Sequence, residues 1–88
     1  MIQVTTSVYK DRGLDGKETP VDASSWRVHS CIIDFGTEEV PLTFFSTWVY
    51  VSPDAAHGDM QTQALQIIRE RGHTDPEDAI RWRLHMIG

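Results

Sequence analysis

The chain has 88 residues, of which 40% are hydrophobic and 24% charged, and its formal net charge at pH 7 is −5. This length predicts a single domain over residues 1–88, and the composition is too apolar for a disordered chain. The sequence holds no run of about 18 apolar residues and no signal-peptide pattern, so we expect a cytoplasmic protein with no membrane association. Its single cysteine, Cys31, agrees with a reducing compartment.

The negative charge is concentrated in the first half of the chain. Residues 1–51 carry four basic and seven acidic side chains, whereas residues 69–88 carry four of each. An acidic balance disfavours nucleic acid as a partner and favours a larger protein with a basic surface. The residues predicted to contact that partner are Asp11, Asp15, Glu18 and Asp22 in a long loop, and Glu38 and Glu39 in a turn.

Alternating apolar residues predict two strands at the start of the chain. In residues 2–10 the apolar Ile2, Val4 and Val8 alternate with polar residues. Residues 11–25 contain two glycines and a proline and predict a long loop. Residues 26–35 predict a second strand with apolar side chains on both sides. One side carries Trp26, Val28 and Ile32, and the other carries His29, Cys31, Ile33 and Phe35.

The stretch 41–52, PLTFFSTWVYVS, is predicted to be a third strand, and it is apolar on both sides. One side would carry Leu42, Phe44, Trp48 and Tyr50, and the other Phe45, Val49 and Val51. Two interpretations are open: either all of these residues belong to the core, or one face is an exposed patch that docks a partner or a second copy. We expect Trp48 in the main core, beside Ile67, Ile80 and Leu84.

Two helices are predicted after the third strand. Ser52 and Pro53 suit a helix start, with Gly58–Asp59 as an alternative start, and Gly72 suits the end. The apolar stripe of this helix would be Met60, Ala64, Ile67 and Ile68. A second helix would begin at 74–78, with the stripe Ile80, Leu84 and Ile87 and with Arg81, Arg83 and His85 near its end. The predicted fold is α+β, a three-stranded antiparallel sheet followed by two C-terminal helices packed on one face (βββαα).

No catalytic, cofactor or metal site is predicted. His29 and Cys31 lie two apart on a strand, but no third group accompanies them, so we interpret them as structural. A zinc site would have to recruit His57, His73 and His85 without a recognisable spacing. Residues 11–22 match a calcium loop only in part. A helix-turn-helix would present Arg81 and Arg83 to DNA, but the acidic residues at the start of its second helix would repel the DNA phosphates.

In its size, its acidity and its lack of a catalytic signature, the chain resembles small phage-encoded inhibitors, including anti-CRISPR proteins. The resemblance implies a non-enzymatic protein-binding module, an inhibitor or accessory factor that occludes a basic surface of a larger partner. The alternatives are a homodimeric structural protein, a small DNA-binding regulator and a small enzyme.

Overall fold

The structure is a computed structural model that describes residues 2–10, 25–45, 48–73 and 80–87. These residues form a four-stranded mixed sheet and one helix, in the order β1 (Ile2–Lys10), β2 (Trp26–Asp34), β3 (Glu39–Pro41), α1 (Pro53–Glu70) and β4 (Ile80–Ile87). The strand order across the sheet is β3-β2-β1-β4. The strand β2 pairs antiparallel with both β1 and β3, whereas β4 pairs parallel with β1.

The predicted βββαα fold is wrong, because residues 80–87 form a strand and not a second helix. We interpreted Ile80, Leu84 and Ile87 as a helical stripe, but the same segment, IRWRLHMI, also alternates with a period of two. The strand period prevails because β4 pairs with the central strand β1 along its whole length. The helix-turn-helix interpretation fails with the second helix. The predicted start of that helix, at 74–78, lies outside the described residues.

The third strand is much shorter than predicted. Only Glu39–Pro41 pair with β2, and the later residues meet the sheet at one isolated bridge, between Tyr50 and Trp26. Within the described parts of the chain, one helix covers one face of the sheet, so a strand there can bury one side only. A strand that is apolar on both sides would leave one of its apolar sides exposed there. The expectation that Trp48 lies in the main core is also wrong, since Trp48 is 37% exposed.

The helix α1 begins at the first of its two candidate starts and ends where the sequence predicts. Ser52 is the N-cap, and its Oγ accepts a hydrogen bond from the Ala55 N–H at 3.1 Å. Pro53 is the first helical residue, so the alternative start at Gly58 is wrong. At the other end Gly72 has a φ of +85°, and the His73 N–H donates to the Ile68 carbonyl at 3.2 Å.

A β-bulge in β2 changes which side chains reach the core. Ser7 pairs with Ser30, but Val8 pairs with Val28, so His29 is an extra residue in the ladder. The bulge turns Val28 to the same face as Cys31, which a strict period of two would place on opposite faces. Both are buried, and His29 is exposed.

The core lies between α1 and one face of the sheet. Its buried apolar members are Val4, Val8, Val28, Cys31, Ile33, Leu42, Ala56, Met60, Ala64 and Ile68. The helix stripe predicted from the sequence is confirmed, because Met60, Ala64 and Ile68 are buried and Ile67 packs against them. The opposite face of the sheet, called here the open face, carries the side chains that alternate with the buried ones. Its members are Gln3, Thr5, Ser7 and Tyr9 in β1, Arg27, Ser30, Ile32 and Asp34 in β2, and Arg81, Arg83, His85 and Ile87 in β4.

Candidate functional site

Four large apolar side chains are exposed between β3 and α1. Val51 is 77% exposed, Phe45 69%, Val49 48% and Trp48 37%. We call these four residues the apolar segment; residues 46 and 47 between them lie outside the described residues. Scattered apolar residues are common on protein surfaces, but a contiguous set of large ones is typical of an interaction site.

The apolar segment is held at Tyr50, which lies between two of its members. The Tyr50 N–H donates to the Trp26 carbonyl, and the Trp26 N–H donates to the Tyr50 carbonyl, both at 2.7 Å. This pairing is an isolated antiparallel bridge that fixes the backbone at Tyr50, next to the exposed Val49 and Val51. The segment is therefore displayed from a fixed backbone position.

A side-chain network fastens Tyr50 to the helix. The Tyr50 hydroxyl donates to Asp59 Oδ2 at 2.5 Å, and Gln63 Nε2 donates to the same oxygen at 3.3 Å. Burial and the adjacent carboxylate raise the pKa of Tyr50 above its ordinary value, which keeps the phenol a proton donor. The network joins the apolar segment to the middle of α1.

The other end of the segment is fixed by its approach to the core. Leu42 is buried, and its N–H donates to the Cys31 carbonyl at 2.8 Å. Phe44 packs against the core, whereas Phe45 turns outward and meets Trp48 edge-on, with 5.4 Å between ring centroids. The exposed aromatic pair thus lies between two anchored positions, Leu42 and Tyr50.

The structure places two of the six acidic residues predicted to bind a partner. Glu38 forms an ion pair with Arg71, and the Arg71 guanidinium also lies 5.2 Å from the centre of the Phe35 ring. Glu39 is exposed on β3, opposite Asp34. Glu38 is therefore partly neutralised, and Glu39 is available to a partner. The remaining four, Asp11, Asp15, Glu18 and Asp22, lie outside the described residues.

The chemical groups considered from the sequence do not come together. Burial raises the pKa of the Cys31 thiol, and the Thr6 hydroxyl donates to its sulfur at 3.5 Å. His29 lies in the bulge on the surface, so the predicted shared face of His29 and Cys31 is wrong. Among the described residues, no group of three His, Cys, Asp or Glu side chains could hold a metal ion. The partial calcium loop at 11–22 lies outside them.

The sequence leaves two interpretations of 41–52 and does not say which side is exposed. The side predicted to carry Phe45, Val49 and Val51 is the exposed one, and Trp48 joins it from the other side. The signal was the apolar character of both sides of that stretch. The strand β4 was also missed, although the alternation of Arg81, Arg83 and His85 with apolar residues was visible in the sequence.

Comparison with known proteins adds no family to this description: a scan against protein-family models, a search of curated proteins and a search of solved structures each found no match. In the part of the chain that the structure describes, no helix combines the length and the apolar character needed to cross a bilayer.

Proposed function

We propose that this chain is a protein-binding module that docks on a larger partner through the apolar segment, while its acidic side chains steer it toward a basic surface. The observation that carries the proposal is the exposure of Phe45, Trp48, Val49 and Val51 on a segment whose backbone is anchored at Leu42 and at Tyr50. Aromatic and branched side chains held in this way bury a large area on binding and lose little conformational entropy.

The charge of the chain supports a partner with basic groups around an apolar depression. The net charge is −5, and Asp54, which follows the segment in the first turn of α1, is exposed. Interfaces commonly combine an apolar centre with a polar rim, and a complementary rim raises the association rate. Such a module acts as an inhibitor when the surface that it covers is one that the partner needs.

Site-specific crosslinking tests the docking surface. A photo-reactive phenylalanine analogue is placed at Phe45, and a matched control carries it at Gln66, an exposed position on α1. In a lysate of the source organism, we expect position 45 to crosslink to one protein, at peptides rich in Lys and Arg, and position 66 to give no such product. Equal products from both positions, or none from position 45, would contradict the proposal.

Charge reversal tests the steering. The double variant Asp15→Lys, Glu18→Lys should slow association with the crosslinked partner and leave dissociation nearly unchanged. Raising the ionic strength should slow association of the parent chain in the same way. An association rate that responds to neither change would remove the acidic residues from the proposal and leave the apolar segment alone.

A further inference from the structure

We propose a second interaction surface, the outer edge of β4, which adds an extended strand of alternating acidic and apolar residues from a protein partner. The edge differs from the apolar segment in position and in charge, so this inference does not depend on the function proposed above. Strand addition uses main-chain hydrogen bonds for affinity and alternate side chains for specificity.

The two edges of the sheet are built differently. The edge strand β3 has three residues and ends in Pro41, and short strands and proline are common ways of protecting an edge. The edge strand β4 has eight residues, Ile80–Ile87, and contains neither proline nor glycine. Its inner side pairs with β1, and within the described residues no strand pairs with its outer side. A long open edge is a template for another strand.

The side chains of β4 give this edge a charge pattern with the period of a strand. Arg81, Arg83 and His85 are exposed on the open face, about 6.6 Å apart in succession. Neither arginine forms an ion pair with a carboxylate among the described residues. A strand added at this edge would place every second side chain beside one of these groups, and opposite charges in such cross-strand pairs are stabilising.

Within the described residues, the neighbours of Arg81, Arg83 and His85 along β1 carry no charge. Along β1, Gln3 pairs with Arg81, Thr5 with Arg83 and Ser7 with His85, and all three β1 residues are uncharged. Among the described residues, the acidic side chain of the open face, Asp34, lies beyond β1 on the next strand. An acidic strand on the outer side of β4 is the complementary neighbour.

The other face of β4 favours apolar residues in the added strand. Trp82 and Leu84 pack against the core, and Met86 is 58% exposed at the end of the same row. The side chains of an added strand that alternate with its acidic ones would extend this row and cover Met86. The ligand is therefore defined on both faces, acidic on the open one and apolar on the other.

A second copy of the chain and a nucleic acid fit this edge less well. Antiparallel pairing of two β4 strands centred on Arg83 would set the guanidinium groups of the two copies beside each other, and like charges there are destabilising. The phosphates of a nucleic acid would contact the arginines but would leave the unpaired backbone groups and Met86 without a partner. The net charge of −5 also repels a polyanion.

The experiment uses the full chain and three synthetic peptides of nine residues. One alternates Glu and Val, one has the same residues grouped in two blocks, and one alternates Lys and Val. Binding is measured by fluorescence anisotropy, and amide hydrogen exchange is followed residue by residue. We expect the alternating Glu peptide alone to bind and to slow exchange at every second amide of β4. An equal affinity for the grouped peptide, or binding that protects no β4 amide, would overturn the proposal.

Matched variants test the charge pattern. The double variant Arg81→Gln, Arg83→Gln removes two positive charges and should weaken binding of the alternating Glu peptide by about tenfold. The control Thr62→Glu, Gln66→Glu makes the same change in net charge on the exposed side of α1 and should change binding less than about twofold. Equal weakening by both pairs would overturn the proposal. So would a dimer of the peptide-free chain with protected β4 amides, or tight binding of single-stranded DNA that competes with the peptide.

Discussion

β1 and the apolar segment are both rich in apolar residues, and only β1 builds the core. Val4 and Val8 of β1 are fully buried beneath α1, whereas Phe45 and Val51 are the two most exposed large apolar side chains of the described chain. β1 alternates apolar with polar residues and pairs with strands on both sides. The comparison teaches that alternation and backbone pairing decide burial here, and that apolar content alone does not.

The largest expected effect lies on the core side of this comparison. Met60 on α1 is fully buried against the sheet, so Met60→Ala leaves a cavity and should lower the free energy of unfolding by about 2 to 5 kcal/mol. Urea unfolding followed by circular dichroism measures the loss. The exposed Gln66→Ala on the same helix is the control, with a change below about 0.5 kcal/mol. Equal losses in both variants would show that Met60 is not in the core.

A smaller loss in the free energy of unfolding is expected at Tyr50, which connects the apolar segment to α1. Tyr50→Phe removes the hydrogen bond to Asp59 and should cost about 1 to 2 kcal/mol, because a bond to a charged acceptor is lost. Tyr9→Phe, on the open face, is the matched control and should cost less. If Tyr50→Phe is as stable as the parent chain, the phenol does not anchor the apolar segment.

The pH dependence of stability probes the start of α1, beside the apolar segment. His57 Nε2 is buried with no hydrogen-bond partner in the described structure, and burial lowers the pKa of His57, although Asp54 opposes this. The unfolded chain then binds the proton more tightly, so stability should be complete above about pH 6.5 and should fall as the pH drops below it. His57→Gln should reduce this loss in acid. Parallel stability curves for His57→Gln and the parent chain would contradict this explanation.

The sequence predicted the parts of the fold that depend on local signals. The bounds of β1 and the stop at Gly72 follow from alternation and from capping chemistry, and both are confirmed. The cap at Ser52 is one of the two helix starts that the sequence left open. β4 was missed because its choice between helix and strand depends on β1, which is distant in sequence. The bulge at His29 was missed for the same reason, since only pairing with β1 reveals an extra residue.

For the candidate site, the sequence predicted two alternatives and did not decide between them. A stretch that is apolar on both sides predicts either two covered faces or an exposed patch, and the choice depends on how much of the sheet the rest of the chain covers. In the described residues a single helix covers a single face. Partner binding by Asp11, Asp15, Glu18 and Asp22 stays a prediction, because these four residues lie outside the described part of the chain.

The smallest expected effect tests the central claim, that the apolar segment is a surface and not a core strand. Phe45→Ser, Val51→Ser replaces its two most exposed side chains, and we expect the free energy of unfolding in urea to change by less than about 1 kcal/mol. Association of this double variant with the partner should be lost at the same time. A loss of several kcal/mol, comparable to that of Met60→Ala, would show that these side chains are buried and would contradict the claim.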